Sequence, residues 1–280
     1  MHAEPSPDDR FALRQVACAH GRVAWREAGD GLPLILLHGI GSGSGAFSGQ
    51  LEGLSSVFRV IAWDAPGYGG SDPLHNPTPL AADYAQVLGD FAHQLGLTEA
   101  IVLGHSLGAI VAAAWAAQPT LPLRALVLAS PARGYGRASP EVRTAKFRER
   151  ADLIARLGID GLAEQRSAGL CAPAASAGAI AQVRRHMARA TASGYLQAAH
   201  MLAHDDLLTH LRQVQVPVSV MCGELDRVTP LDACAEVARA VGAPYVPLRK
   251  VAHACYVEDP AQFNEALLSL VRPVCGAAHV

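Results

Sequence analysis

The chain reads as an α/β protein, a mostly parallel sheet covered by helices on both faces. Three observations predict it. Short apolar runs alternate with helix-length segments along the 280 residues, the pattern of strands buried on two sides. One Gly-x-Ser-x-Gly, Gly104-His105-Ser106-Leu107-Gly108, follows the apolar run Ala100-Ile101-Val102-Leu103 and opens a helix-compatible stretch from Ala109 to Ala117. A long interval, Pro131 to Val214, carries helical patterning and no strand-like run, as an inserted helical segment would.

The elements follow in order. Arg14 to Ala19 and Arg22 to Ala28 flank Ala19-His20-Gly21 and predict an antiparallel hairpin. Leu34–Leu37, Val60–Trp63, Ile101–Leu103, Ala125–Leu128, Val216–Val220 and Pro244–Leu248 read as six successive core strands. Pro217 and Pro247 cannot donate to a strand ladder, so they mark strand starts or edges. Inside the insertion, Val142 to Leu157 and Ala181 to Ala190 are helical, whereas the Ala-rich piece Cys171 to Ala179 reads as a flexible break that could hinge a lid. A last helix is expected over Ala261 to Val271. The expected division is a core domain from 1–130 and 215–280, with a helical cap over 131–214.

Composition narrows the function classes. Hydrophobic residues make up 50% of the chain, enough for a large core, and the net charge of −2 gives no electrostatic footprint for nucleic acid or an anionic membrane. The longest apolar run, Leu107 to Ala117, is far short of a span, and the start of the chain from Met1 to Pro5 is polar, so a soluble cytoplasmic protein is expected. Six cysteines (Cys18, Cys171, Cys222, Cys234, Cys255 and Cys275) form no C-x-x-C pair and are expected as reduced thiols.

The Gly-x-Ser-x-Gly turn is too tight for side chains at its flanks, and it lifts the Ser106 hydroxyl clear of the sheet edge as a candidate nucleophile. The backbone N–H of Leu107 then faces a developing oxyanion. A second donor is expected at Ile40, because His38-Gly39-Ile40-Gly41-Ser42-Gly43 bends directly after the first core strand. A phosphate-binding loop is the rival reading of these glycines, but the spacing misses G-x-G-x-x-G and no G-x-x-x-x-G-K-[ST] occurs. Asp226 stands in a loop after the fifth core strand and is the chosen carboxylate over Glu224, Asp232, Glu258 and Asp259. His253 stands after the last strand and is the base candidate. The chain order Ser106, Asp226, His253 is the one expected of a nucleophile-elbow triad.

Two patterns are decoys. His200, His204 and His210 mimic metal-ligand spacing on a helix, but H-E-x-x-H is absent and no metal is expected. Cys255 lies near His253, yet Ser106 already occupies the elbow and a free cysteine is most often a small buried hydrophobe. Trp63, Trp115 and Tyr256 are expected in the core or the pocket wall.

His38-Gly39, Asp64-Ala65-Pro66-Gly67-Tyr68-Gly69-Gly70-Ser71, Gly104 to Gly108, Gly223 to Pro230 and His253, in this order, resemble the α/β-hydrolase fold superfamily from about Arg14 to Leu270. The resemblance implies an eight-stranded, mostly parallel sheet with an inserted helical cap, a triad of Ser106, His253 and Asp226, and no cofactor. Asp64 and Ser71 are then scaffold residues of a loop beside the site. A serine at the elbow argues against haloalkane dehalogenases and epoxide hydrolases, which carry aspartate there. The cap and the Asp64 loop resemble small carboxylesterases, enol-lactonases and meta-cleavage-product hydrolases more than lipases. The last group usually has a tryptophan after the histidine and a proline in the oxyanion loop, where this chain has Ala254 and Gly43.

The function expected is hydrolysis of a small-molecule ester, lactone or thioester through an acyl-enzyme on Ser106. Carbon–carbon bond hydrolysis is the alternative within the fold, and a low-turnover ligand-binding homologue the alternative outside catalysis. Arg143, Arg148, Arg150, Arg156, Arg166, Arg184, Arg185 and Arg189 give the cap a large arginine share. A guanidinium can clamp an anionic substrate, but the preferred reading is a solvated face pairing with Glu141, Glu149 and Glu164 at helical spacing.

Overall fold

Alternation of side chains along each strand decides which residues meet which layer. Leu34 and Leu36 enter one apolar cluster while Ile35 and Leu37 enter the other, and Val60/Ala62 and Ile61/Trp63 divide the same way. Strands buried on both faces need apolar residues at every position, which is why the sequence shows unbroken runs. The computed structural model describes residues 10–275. The polar stretch from Met1 to Pro5 lies outside them.

Eight strands form one sheet in the order β1-β2-β4-β3-β5-β6-β7-β8. The hairpin is β1 (Arg14–Cys18) and β2 (Gly21–Ala28), paired antiparallel with Arg14 opposite Trp25, and β2 pairs antiparallel with β4. The six core strands are β3 (Leu32–Leu37), β4 (Phe58–Trp63), β5 (Ala100–His105), β6 (Leu123–Ala129), β7 (Val218–Gly223) and β8 (Tyr245–Leu248), and every neighbouring pair among them is parallel. Pro217 stands just before β7, and Pro247 lies in β8 at the sheet's edge, where a missing N–H costs no ladder bond.

On one face lie α2 (Ala81–Gln94), α3 (Leu107–Ala117) and α8 (Leu231–Ala240). The other face carries α1 (Ser48–Leu54) and α10 (Pro260–Cys275), which bury Leu51, Leu54, Phe263 and Leu267. α10 is the helix expected over Ala261 to Val271, extended at both ends.

Between β6 and β7 come α4 (Pro140–Arg166), α5 (Ala177–Met187), α6 (Ala192–His204) and α7 (Leu207–Leu211). α4 is two arms in sequence rather than one rod. Gly158 takes φ 64° and ψ −177°, a region almost closed to other residues, and the helix expected over Val142 to Leu157 ends there before a second arm begins. α7 packs on α3 rather than on the rest of the insertion. The Ala-rich stretch is irregular over 171–176, but it is not loose. Glu258, on the short helix α9 (Cys255–Glu258), accepts from the Ala172 N–H at 2.7 Å and from the Ala252 N–H at 2.9 Å, and Ala254 N donates to Leu170 O at 2.9 Å. One carboxylate thereby ties the insertion to the loop after β8.

Candidate active site

Because β3 to β8 run parallel, their carboxyl ends open on one edge of the sheet, and four of the loops there carry the candidate nucleophile, acid, base and oxyanion donors. β5 ends at His105 and the chain turns at Ser106 into α3. Ser106 holds φ 54°, a strained conformation for a residue with a side chain, of the kind that clusters at functional sites. The flanking glycines are sterically required. A Cβ on Gly104 would stand 2.4 Å from Gly108 O, and one on Gly108 would stand 2.4 Å from Leu37 O.

Ser106, Asp226 and His253 meet although 120 and 27 positions separate them along the chain. His253 Nε2 is 3.0 Å from Ser106 Oγ and its Nδ1 is 2.8 Å from Asp226 Oδ2. A carboxylate only accepts, so Nδ1 carries the proton and Nε2 is left as acceptor for the serine hydroxyl. All three residues are buried. Asp226 accepts from the Val228 and Thr229 N–H groups at Oδ1, at 2.8 and 2.9 Å, and from Thr229 Oγ1 at Oδ2, at 2.8 Å. Burial would raise its carboxyl, but the hydrogen bond and charge of His253, with the two hydrogen bonds from Thr229, hold it down at about 2.

Two residues that sequence reasoning passed over support this geometry. His105, inside the elbow motif, lies 2.8 Å through Nε2 from the His253 carbonyl, to which it donates, and its ring packs between those of His253 and Tyr256. Burial, followed by the neighbouring His253, pushes His105 down to about 3, so it is a neutral strut. Thr229 touches Asp226, the Ser130 carbonyl and, at 3.3 Å, His253 Nδ1. Its position three residues after the aspartate, with a backbone N–H returning to that side chain, is the local signal that would have found it.

The loop after β3 lies against the elbow. A Cβ on Gly39 would stand 2.8 Å from Ser106 Cβ, so glycine alone permits the approach. His38 accepts from the Ala65 N–H at Nε2 (2.9 Å) and donates from Nδ1 to Gly39 O (2.8 Å), with burial holding it neutral. Asp64 accepts from the Ser44 and Gly70 N–H groups, and Ser71 donates to Asp64 O and accepts from Ala24 N, so both brace the neighbouring loop. Leu107 begins α3, where its N–H has no intrahelical acceptor. Both Ile40 and Leu107 line the cavity onto which Ser106 and His253 open.

That cavity is about 570 Å³ and takes its far wall from the insertion, through Leu162, Met187, Tyr195 and Leu202. Tyr256 lines it too, while Trp63 and Trp115 sit in the core. Of the eight arginines singled out in the insertion, two line the cavity: Arg150 and Arg166, on either side of the break at Gly158, with Arg133 and Arg137 from the segment before α4. Of the expected pairs, Glu164 meets Arg184 at 2.8 Å across two helices, and Glu149 meets Lys146.

The other candidates fall elsewhere. Glu224 accepts from Lys250 N, Asp259 from Gln262 N, and Asp232 lies in the first turn of α8. Burial pushes the Cys255 thiol up, opposite to an activated nucleophile. His200 stacks on His204 with ring centres 4.1 Å apart, and His210 binds Asp205 at 2.7 Å. Among the described residues no group of three or more His, Cys, Asp or Glu side chains comes together as a metal site, and no helix is long and apolar enough to cross a membrane.

A family model described as the alpha/beta hydrolase fold matches residues 33–262. The "Putative carbamate hydrolase RutD" of Enterobacter cloacae is 28% identical over 252 residues, covering 86% of this chain and 91% of that protein. A pimeloyl-[acyl-carrier protein] methyl ester esterase of Vibrio vulnificus is 27% identical over 253 residues, covering 88% and 96%. Among solved structures, a thermophilic esterase from Thermogutta terrifontis superposes with a TM-score of 0.84 at 25% identity, covering 96% of this chain and all of that one. The enol-lactonase from Burkholderia xenovorans gives 0.81 at 22% identity, covering 92% and 100%. With the match spanning most of the chain, and with the sheet order and the elbow described above, this protein belongs to the alpha/beta hydrolase fold family.

Proposed function

We propose that the protein cleaves a carboxylic ester, lactone or thioester of a small molecule through an acyl-enzyme on Ser106. The observation that carries this is the unbroken line from Ser106 Oγ through His253 to Asp226, at 3.0 and 2.8 Å, opening on a cavity of about 570 Å³. Family membership and the relatives named above mark a hydrolase of small ester-like substrates, and the triad is the finer reading.

In this reading Ser106 attacks the carbonyl carbon while His253 Nε2 takes its proton, and Asp226 stabilises the imidazolium. The Ile40 and Leu107 amides hold the oxyanion, each contributing about 3 kcal/mol to the barrier's reduction. The carbon–oxygen or carbon–sulfur bond breaks, the leaving group takes the proton from His253, and the acyl group stays on Ser106. A water that gives its proton to His253 then attacks the acyl carbon, the bond from that carbon to Ser106 Oγ breaks to release the acid, and His253 returns the proton to Oγ. The helical segment 131–214 acts as a cap that excludes bulk water from this exchange. Six free thiols fit the reducing cytoplasm expected from the sequence.

Ester cleavage is preferred to carbon–carbon cleavage because Ala254, not an aromatic residue, follows His253, and Gly43 stands in the oxyanion loop. The test is turnover of a responsive aryl ester by the parent, Ser106→Ala and His253→Ala proteins. Turnover should fall by about 10⁴-fold or more in both variants with the fold intact. Full activity in either one would rule the triad out.

A further inference from the structure

The cavity onto which Ser106 opens carries a charge excess that the chemistry at Ser106 does not use. Four arginines line the cavity, Arg133, Arg137, Arg150 and Arg166, against one carboxylate, Asp206. Arg133 is paired with Glu236, and Asp206 turns Oδ2 to the Thr209 N–H and hydroxyl at the start of α7. Arg150 is half-buried and gives one N–H to the Lys146 carbonyl. The Arg166 guanidinium, at the end of α4, makes no hydrogen bond or ion pair to another described residue.

Arg150 lies on the first arm of α4 and Arg166 at the end of the second, and both flank Tyr195 on α6. Burial raises the Tyr195 phenol while the two guanidinium groups, set against Glu149, act to lower it, which puts both arginines within electrostatic reach of its hydroxyl. The same cavity is lined by apolar side chains as well, among them Leu162, Leu170 and Met187. Such a wall fits a short aliphatic spacer.

We propose that the preferred substrate is an ester of a dicarboxylic acid whose second, free carboxylate is held by Arg150 and Arg166 beside Tyr195. The proposal rests on the Ser106 hydrolase reading for its link to turnover, although the anion site itself does not. A planar guanidinium binds carboxylate in two-pronged fashion, which fixes its orientation as well as its charge.

The test compares the mono-4-nitrophenyl ester of glutaric acid with its methyl-capped, uncharged twin. The parent should favour the charged ester in kcat/KM by about tenfold or more, and Arg150→Gln/Arg166→Gln should bring the ratio of the two kcat/KM values close to one. Arg166→Gln alone, at an exposed position, should remove part of the preference with no change in thermal unfolding. Equal use of the two esters by the parent, or a preference that survives the double variant, overturns the proposal.

Binding of glutarate, measured by calorimetry on the parent and the double variant, separates this from failure of the Ser106 reading. Should neither ester be turned over, glutarate binding that weakens in the double variant still supports the anion site. Absent or unchanged binding overturns it.

Discussion

Asp226 is charged in the folded protein because four hydrogen bonds end on it, two at each oxygen. Its carboxyl is held at about 2, below the ordinary 3.8. A lowered carboxyl stabilises the fold above the ordinary value and loses that contribution as pH falls toward the folded one. The contribution is on the order of 2 kcal/mol and should disappear between about pH 4 and pH 2. Denaturant unfolding of parent and Asp226→Asn at pH 7 and pH 2.5 should therefore show a stability gap that narrows in acid. A constant gap would assign the loss to packing. The same substitution should lower kcat by about 10⁴-fold, because an amide no longer fixes the imidazole tautomer. Ser106, Asp226 and His253 were legible because each follows a strand and their chain order is diagnostic. His105 and Thr229 were not, since their roles depend on atoms that only the fold brings together: a backbone carbonyl 148 positions away for one and the Ser130 carbonyl for the other.

At the scale of elements, the strands announced themselves through unbroken apolar runs, and the two prolines fell at a strand start and an edge for the reason their missing N–H dictates. The insertion was harder to read. The helix expected over Val142 to Leu157 stops where the structure breaks at Gly158, but the second arm that follows, up to Arg166, carried no pattern of its own that marked it as a separate helix. Arg150 and Arg166, one on each arm, both line the cavity, Arg150 half-buried and Arg166 exposed. Gly158→Ala would force a side chain into a region almost reserved for glycine, at a cost of about 1 to 3 kcal/mol. The expected outcome is a lower Tm, together with weakened glutarate binding as the arms realign. An unchanged Tm would mean that the helix accommodates the side chain without strain. At the elbow, Gly108→Ala should be worse tolerated, because the added carbon meets backbone at 2.4 Å.

For the whole molecule, the decisive joint is between the insertion and the loop that carries His253. Leu170 O and Ala172 N bind Ala254 N and Glu258 across that joint. The sequence offered Cys171 to Ala179 as a hinge, and Glu258 only as a rival for the catalytic acid. What it could not show is that the glutamate closes the hinge, since the pairing joins residues 86 positions apart. Glu258→Ala should free the 171–176 segment, and limited proteolysis should cut there faster than in the parent. Equal cleavage would show that apolar packing of the insertion suffices. Above all of these stands the claim that Ser106 is an activated nucleophile. The most direct measurement is the intact mass of the parent and of Ser106→Ala after treatment with a fluorophosphonate. The account predicts one adduct on the parent and none on the variant. No adduct on folded parent protein, or an adduct that survives the substitution, would contradict it.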